Sequence, residues 1–446
     1  MKVNPCCSYP CQTGVCERFG PESYRCDCSN TGFYGDSCEI QELWIRFRLS
    51  TKPRRPIVHY MMTHFQWFWD LINSCFLRKA IMYLILTIRD EILPSPPTYN
   101  NKYGYVNVES LHNISSTRLL PPIPEDCPLP MGSKGKPQLP DPGVLTERFF
   151  RRKTFRPDPQ GSNLMFAFMT QHYTNQFFKM DHSVQGEIIN IIIEEYMQHL
   201  TGYLVKLQFE PTLLFRTRFA YSNRIALEFA HLSHWHPMMP DSFLIDGDDI
   251  PYSQFMSNTS LLMHYGVEKL VEAFSHQPAG QIGGGHNSHA DALKASEMII
   301  RESRAMRMRP LNEYRKRFKL KPYTSFYELT GDVEMARGLE ELYGDIDAVE
   351  FYPGLLLENT LPTSLFGESM LEMSASFSLI GLMGNPICSP AYWKPSTFGG
   401  ETGFNIVKTS TLKKLVCLNT KWCPYVDFHV PRNEDGTNPE KSSTEL

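Results

Sequence analysis

Two histidines two residues apart, in Ser233-His234-Trp235-His236, are the side chains of this chain best suited to chemistry. A neutral imidazole can ligate a metal ion or accept a proton near neutral pH. In a helix the pair would point about 200° apart around the axis, so only one of them could face a given ion. Histidines this close are also common as ordinary structural residues, and spacing alone leaves both readings open. Gln171 and Asn175, four positions apart in the stretch from Asn163 to Phe178, form a second candidate. They share one helical face, whereas His172 lies about 100° around from Gln171. Asparagine can hydrogen-bond a ligand but has no pKa near neutrality, so it offers no general acid-base assistance. Arg89 ends an apolar segment, where a guanidinium can grip a carboxylate through two parallel hydrogen bonds or carry its charge out to water at an apolar boundary. Gly283-Gly284-Gly285 lacks the buried strand and the spacing of a phosphate loop and reads as a flexible turn.

These residues need a scaffold, and the chain can supply one. With 446 residues, 42% hydrophobic and 12% aromatic, it can bury a substantial core and form more than one domain. A net charge of -4 leaves no basic surplus for phosphates and argues against nucleic acid as a partner. The basic runs Arg151-Arg152-Lys153 and Arg315-Lys316-Arg317 read as solvated faces without a functional role. Helical periodicity is clear over 187–205, where Ile188, Ile189, Ile192, Ile193, Tyr196, Met197 and Leu200 mark one wide apolar face.

Cysteine usage divides the chain. Cys6, Cys7, Cys11, Cys16, Cys26, Cys28 and Cys38 precede residue 40, a density that points to an oxidising compartment. Their spacing lacks the repeated pairs and histidines of a zinc site. Ending in Cys26-x-Cys28 with Gly32, Phe33, Gly35 and Cys38, the series resembles an EGF-like module. That resemblance implies pairs Cys6-Cys16, Cys11-Cys26 and Cys28-Cys38, and leaves Cys7 needing an outside partner. A segment this short cannot build an adequate apolar core, so cross-links would supply its stability.

The next segment changes character. Residues 40–88 are rich in aromatics, including Trp44, Phe65, Trp67, Phe68 and Trp69, and carry Lys52, Arg54 and Arg55. No stretch reaches the roughly 20 apolar residues of a spanning helix. Such helices could pack on the protein's own core, but a run of them behind a disulfide-rich module predicts a monotopic anchor lying in one leaflet's interface. The sequons at Asn113 and Asn258 and the ending Ser443-Thr444-Glu445-Leu446, a weak relative of a retention signal, favour the lumenal face of the endoplasmic-reticulum membrane. Met1-Lys2-Val3-Asn4 carries no apolar signal-peptide core, so on this reading the signal peptide is absent from this chain.

Together with the EGF-like module and the anchor, Pro94-Ser95-Pro96-Pro97-Thr98-Tyr99-Asn100, His234-Trp235-His236-Pro237 and Phe366-Gly367-Glu368-Ser369-Met370 occur in the order found in the prostaglandin G/H synthases, or cyclooxygenases. The chain resembles this family over nearly its whole length, and its tail after Cys423 lacks the insertion that marks one isoform. The resemblance implies a mainly α fold: an EGF-like module at 1–39, monotopic membrane-binding helices at 40–88 and a haem peroxidase-like helical domain at 89–446. It also implies a homodimer, a haem b cofactor, and conversion of arachidonate or a similar fatty acid with oxygen to prostaglandin G2 and then prostaglandin H2. Two further disulfides are implied by it, Cys7-Cys127 and Cys417-Cys423.

Residue by residue, the resemblance implies that His236 is the proximal haem ligand. It aligns Ser233 with the tyrosine whose radical abstracts hydrogen from the fatty acid and Asn175 with the distal histidine that shuttles the peroxide proton, and Gln171, on the same helical face as Asn175, is taken with them as a catalytic candidate. Arg89 matches the arginine that anchors the substrate carboxylate, Tyr203 and Glu372 its partners at the channel constriction, and Ser378 the serine acetylated by aspirin. Ser374 and Ser376 depart from the family's glycine and proline. A long helical block of the family has no counterpart here, and its two sides meet at about 180–187. A core missing a layer exposes apolar surface at roughly 25 cal/mol per Å². An aliphatic hydroxyl cannot hold an unpaired electron as a phenol ring does. The sequence thus predicts a synthase impaired by Ser233, Asn175 and the deletion, with two alternatives: an inactive haem- or fatty-acid-binding membrane protein or partner subunit, or a mis-spliced product.

Overall fold

Disulfide-paired cysteines pin the N-terminal segment into two small hairpins. Strands β1 (Val15–Arg18) and β2 (Tyr24–Asp27) pair antiparallel with Cys16 opposite Cys26, and β3 (Phe33–Tyr34) pairs with β4 (Ile40–Gln41). In this computed structural model, which describes residues 3–29, 31–51, 60, 65–76, 78–81, 83, 105–107, 115–172, 190–196, 199–200, 210–217, 226–362 and 364–431, the module has its own small core of cysteines, Phe33 and Ile45. Disulfides join Cys6 to Cys16, Cys11 to Cys26 and Cys28 to Cys38, and Cys7 reaches out to Cys127. Gly32, at φ +73, lies where any side chain would strike Ile45, so a bare backbone is what lets helix α1 (Leu43–Thr51) seat against the module.

Helix α2 (Gln66–Ser74) shows the amphipathic division read from the sequence. It buries Trp69 and leaves Trp67 and Leu71 at 68% and 60% exposure, with Phe76 just beyond it at 91%. Among the described residues no helix is long and apolar enough to cross a membrane. A further hairpin, β5 (Tyr105–Asn107) and β6 (Ser115–Thr117), precedes the main domain.

That domain is helical around one large apolar core. Its longer elements are α3 (Leu164–His172), α4 (Leu227–Leu232), α5 (Ser260–His276, broken at Gly266), α6 (Leu293–Ala305), α7 (Leu311–Arg317), α8 (Phe326–Thr330), α9 (Val333–Tyr343), α10 (Phe351–Leu357), α11 (Glu368–Met383), α12 (Glu401–Lys408) and α13 (Leu412–Leu418). The hairpin β7 (Ser242–Ile245) and β8 (Asp248–Pro251) packs Phe243 against α5 through Phe274. Local chemistry sets the helix ends. Ser325 caps α8 by accepting from Glu328 N at 3.0 Å, Asp332 caps α9 by accepting from Met335 N at 2.7 Å, and Gly331 and Gly344 close these helices in the left-handed region.

The predicted apolar face over 187–205 is partly seen. Ile191, Ile192, Tyr196 and Leu200 are buried, and Ile192–Tyr196 winds as a π turn. Of the predicted helix from Asn163 to Phe178, Leu164–His172 is helical and the remainder after His172 lies outside the described residues, as does the junction at 180–187.

The reading of the two basic runs as solvated faces holds for Arg151 and Lys153, which are exposed, and is corrected for three other arginines. The Arg152 and Arg315 side chains are only 5% and 3% exposed, and Arg317 is buried too. The Arg152 and Arg315 guanidinium groups face inward because carbonyls, carboxylates and the Ser369 hydroxyl from distant parts of the chain accept their hydrogen bonds, which a local run of charge cannot reveal.

Candidate haem and substrate site

The His234-Trp235-His236 segment leaves helix α4, and α4 is fixed by a buried carboxylate. Glu228, 1% exposed, accepts from Leu119 N at 3.0 Å, from Leu120 N at 3.3 Å and from the Tyr314 hydroxyl at 3.2 Å. Burial raises its pKa, and the backbone amides and Arg118 oppose that rise. Ser233 closes the helix, with φ −86 and ψ 5. Its hydroxyl donates back to Phe229 O at 2.7 Å.

Helix geometry does not continue to His236, so the expected opposition of the two histidines is overturned. The α-helix ends at Leu232, Trp235 leaves the helical region at φ −100 and ψ 49, and a short 3-10 turn starts at His236 with Pro237 in the early position where a missing N–H costs nothing. The imidazoles stack within 7° of parallel, 5.9 Å apart. His234 also meets the Tyr352 ring edge-on at 6.5 Å. Between them Trp235 donates to Leu232 O at 2.7 Å and packs on Phe366 at 5.5 Å, which brings the Phe366-Gly367-Glu368-Ser369-Met370 motif beside this one.

Arg152 clamps the residues just after His236. One terminal nitrogen donates to Pro237 O at 3.2 Å and Met239 O at 2.6 Å, and the other pairs with Asp241 at 2.6 Å. Gly280 N donates to Met238 O at 2.8 Å, and a side chain at Gly280 would collide with Pro237 O. The glycine run is a turn: Gly283, Gly284 and Gly285 all donate their amides to backbone carbonyls, leaving none for a phosphate.

His236 itself is suited to ligation. Burial pushes its pKa below 6.5, so the ring is neutral at physiological pH. Its Nδ1 is buried without a hydrogen-bond partner. A neutral imidazole with an unengaged nitrogen is the donor an iron porphyrin needs, so the residue fits the group.

Helix α11 carries the other described candidates and packs on α4 through Phe377 against Phe229 at 5.6 Å. Its start is pinned by a buried network that sequence reasoning missed. Arg315 donates to Glu358 at 3.1 Å, to Ser369 Oγ at 2.6 Å and to Glu368 at 3.0 Å. Glu358, 0% exposed, also accepts from Ser369 N at 2.9 Å, from Ser369 Oγ at 2.6 Å and from the Tyr323 hydroxyl. Burial raises the Glu358 pKa, while Ser369, Tyr323 and Arg315 pull it down. Gly367 has no room for a side chain because Glu358 fills the space. Farther along, Glu372 is half-buried and Ser378 is 3% exposed. Ser376 donates to Glu372 O at 2.7 Å, and Ser374 Oγ is buried without a partner.

The structure thus brings together Ser233, His236 and the helix of Glu372 and Ser378. Gln171 is exposed at the end of α3, which packs through Phe168 on Phe274 of α5 at 4.8 Å. Asn175, Arg89, Tyr203 and Asn113 lie outside the described residues. Asn258 is exposed on the turn before α5, and Cys417 is bonded to Cys423.

Comparison with known proteins bears on the whole arrangement. Residues 182–423 match the animal haem peroxidase family. The chain is 47% identical to prostaglandin G/H synthase 1 of Oryctolagus cuniculus, an alignment covering 100% of this chain and 94% of that protein. Prostaglandin G/H synthase 2 of the same species is 43% identical, with 96% and 91% covered. The first alignment spans 568 positions against the chain's 446 residues, a difference of 122. In fold the chain resembles the fatty acid alpha-dioxygenase of Oryza sativa, with a TM-score of 0.57, 12% identity and coverage of 85% of this chain and 99% of that one. With near-half identity along its full length and the peroxidase match over its helical domain, the chain belongs to the prostaglandin G/H synthase family of animal haem peroxidases.

Proposed function

We propose that this protein is a haem-dependent oxidoreductase of the prostaglandin-endoperoxide synthase type that binds a fatty acid and whose dioxygenase step is impaired at Ser233. The observation that carries the reading is His236: half-buried, with its Nδ1 atom shut off from solvent and unengaged by the protein, and with its pKa lowered by desolvation. Haem, when bound, would supply the redox chemistry by which the family reduces peroxides and generates its radical. The chain's own residues do the rest. Arg152 and Glu228 hold the His236 segment from both sides, and α11 offers Glu372 and Ser378 beside α4. Ser233 can donate a hydrogen bond but cannot stabilise a radical, and its proton is already directed to Phe229 O.

The same reading sets the protein, as a homodimer, on the lumenal face of the endoplasmic-reticulum membrane. Five disulfides suit an oxidising compartment, and exposed Trp67, Leu71 and Phe76 suit an interfacial anchor. Haem titration of the detergent-purified protein tests the core claim: a saturable Soret band is expected, and His236→Ala should abolish it. A band that survives His236→Ala overturns the assignment.

The 122-position difference from the rabbit relative favours a second reading, in which the protein binds haem or fatty acid without turnover or is the product of altered splicing. Transcript sequencing across 180–187 distinguishes a genomic loss from a skipped block. Oxygen uptake with arachidonate by the haem-loaded protein separates turnover from binding.

A further inference from the structure

The segment ending at Val430 is held against the start of α3 by a chain of side chains that neither the peroxidase motif nor the substrate candidates include. Ser162 Oγ lies 2.6 Å from His199 Nε2, and His199 Nδ1 lies 2.9 Å from His429 Nε2. Ser162 is 0% exposed, His199 is 5% exposed and His429 is half-buried. The backbone runs along the same line. Ser162 forms a bridge with His429, Asn163 N donates to Phe428 O at 3.2 Å, and Val430 N donates to Gly161 O at 3.0 Å. Asn163, which accepts from Phe166 N in the first turn of α3, also donates to the carbonyls of Asp427 and His429 at 2.8 and 3.0 Å. Phe428 packs its ring against Phe166 at 5.9 Å and Tyr196 at 6.1 Å.

We propose that the His199–His429 pair is a proton-limited latch that holds the Val426–Val430 segment on the start of α3 and releases it when both imidazoles are charged. The two short contacts set the proton arithmetic. With both rings neutral, one N–H lies between His199 and His429, and the Ser162 hydroxyl serves as donor or acceptor. One added proton is still accommodated, because His199 can then donate from both nitrogens, to Ser162 Oγ and to His429. A second places an N–H on each side of a 2.9 Å contact and two positive charges side by side, so the contact must open.

Among the described residues, the charged and titratable groups around the pair do not remove this limit. Asp158 accepts from Gln160 N and Ser162 N, and Asp427 from Phe428 N and His429 N, so both are engaged with backbone amides. Tyr196 bonds to Thr170, and the Tyr425 hydroxyl donates to His429 O. From α5, Glu272 accepts Tyr425 N and His276 lies against the Tyr425 ring. On the 190–200 segment Glu195 accepts Leu412 N, with Glu194 beside it. The sign is fixed by counting: the released segment binds two protons and the latched one at most one, so acid favours release.

Hydrogen exchange of the full-length, detergent-purified protein tests this at Asn163 and Val430, whose amides cross the latch. After correction for intrinsic rates, protection is expected to fall at least about tenfold between about pH 7.5 and about pH 5, the range in which histidine titrates. His199→Gln, which keeps a hydrogen-bonding side chain but cannot charge, should hold protection constant over that range. His429→Asn is the second variant if the first does not fold, with the same expectation. Flat protection in the unmodified protein, or a variant that tracks it, overturns the latch.

Discussion

On the proposed function, Ser233 limits how much of the family's chemistry can remain. It ends α4 half-buried, with its hydroxyl donating to Phe229 O, and it has no ring over which an unpaired electron could spread. Ser233→Tyr is therefore expected to raise arachidonate-dependent oxygen uptake above that of the haem-loaded parent, measured at an oxygen electrode. Adding Asn175→His should raise it by a further factor of about 10² to 10⁴, the usual contribution of a placed acid-base group. Equal uptake by parent and Ser233→Tyr would show that the block lies elsewhere. His231, one turn before the motif, makes a separate prediction. Burial lowers its pKa below 6.5, against the opposing pull of Leu227 O and Glu302. The unfolded chain takes up this proton first, so stability is complete above about 6.5 and is lost as pH falls toward the lowered folded value. His231→Gln should reduce the slope of unfolding free energy against pH in that window, measured by chemical denaturation.

At the scale of elements, α11 depends on an ion pair supplied by two other elements. Arg315 belongs to α7 and Glu358 comes directly after α10, yet both meet at Ser369 in the first turn of α11. Arg315→Met leaves a fully buried carboxylate without its cation and is expected to cost about 3–5 kcal/mol, measured by denaturant unfolding. Adding Glu358→Gln should recover part of that loss, because the uncompensated charge is then gone; a double variant no better than the single one would argue against charge as the cause. Part of the helical pattern was readable locally: Leu164–His172 falls within the stretch read as a helix from Asn163 to Phe178. The role of the basic runs was not. Consecutive charges look alike in sequence whether their partners are water or, for Arg152, carbonyls 85 and 87 residues away.

For the molecule as a whole, the cross-link between the N-terminal module and the main domain matters most. Cys7-Cys127 closes a separation of 120 residues, and weaker contacts accompany it: Asn4 to Asp126 at 3.0 Å, Arg18 to Asp126 at 2.8 Å and the Tyr9 hydroxyl to Met131 O at 2.9 Å. Cys7→Ser combined with Cys127→Ser is expected to lower stability by about 2–5 kcal/mol, seen as a lower unfolding midpoint. An unchanged midpoint would mean that the polar contacts alone hold the module.

Sequence by itself determined the kind of protein this is. The cysteine series, the His234-Trp235-His236 segment and the Phe366-Gly367-Glu368-Ser369-Met370 segment are short-range patterns, and they carried the fold class, the ligand candidate and the expectation of a replacement at Ser233. Tertiary structure alone decided how those residues are held. It turned the two imidazoles parallel where Trp235 leaves helix geometry, buried Arg152 and Arg315 as clamps, left Nδ1 of His236 without a partner, and set His199 against His429. The physical reason is that burial and hydrogen-bond satisfaction join residues far apart in the chain. A residue's local sequence gives its chemistry, but only the packed core fixes the neighbours against which that chemistry acts.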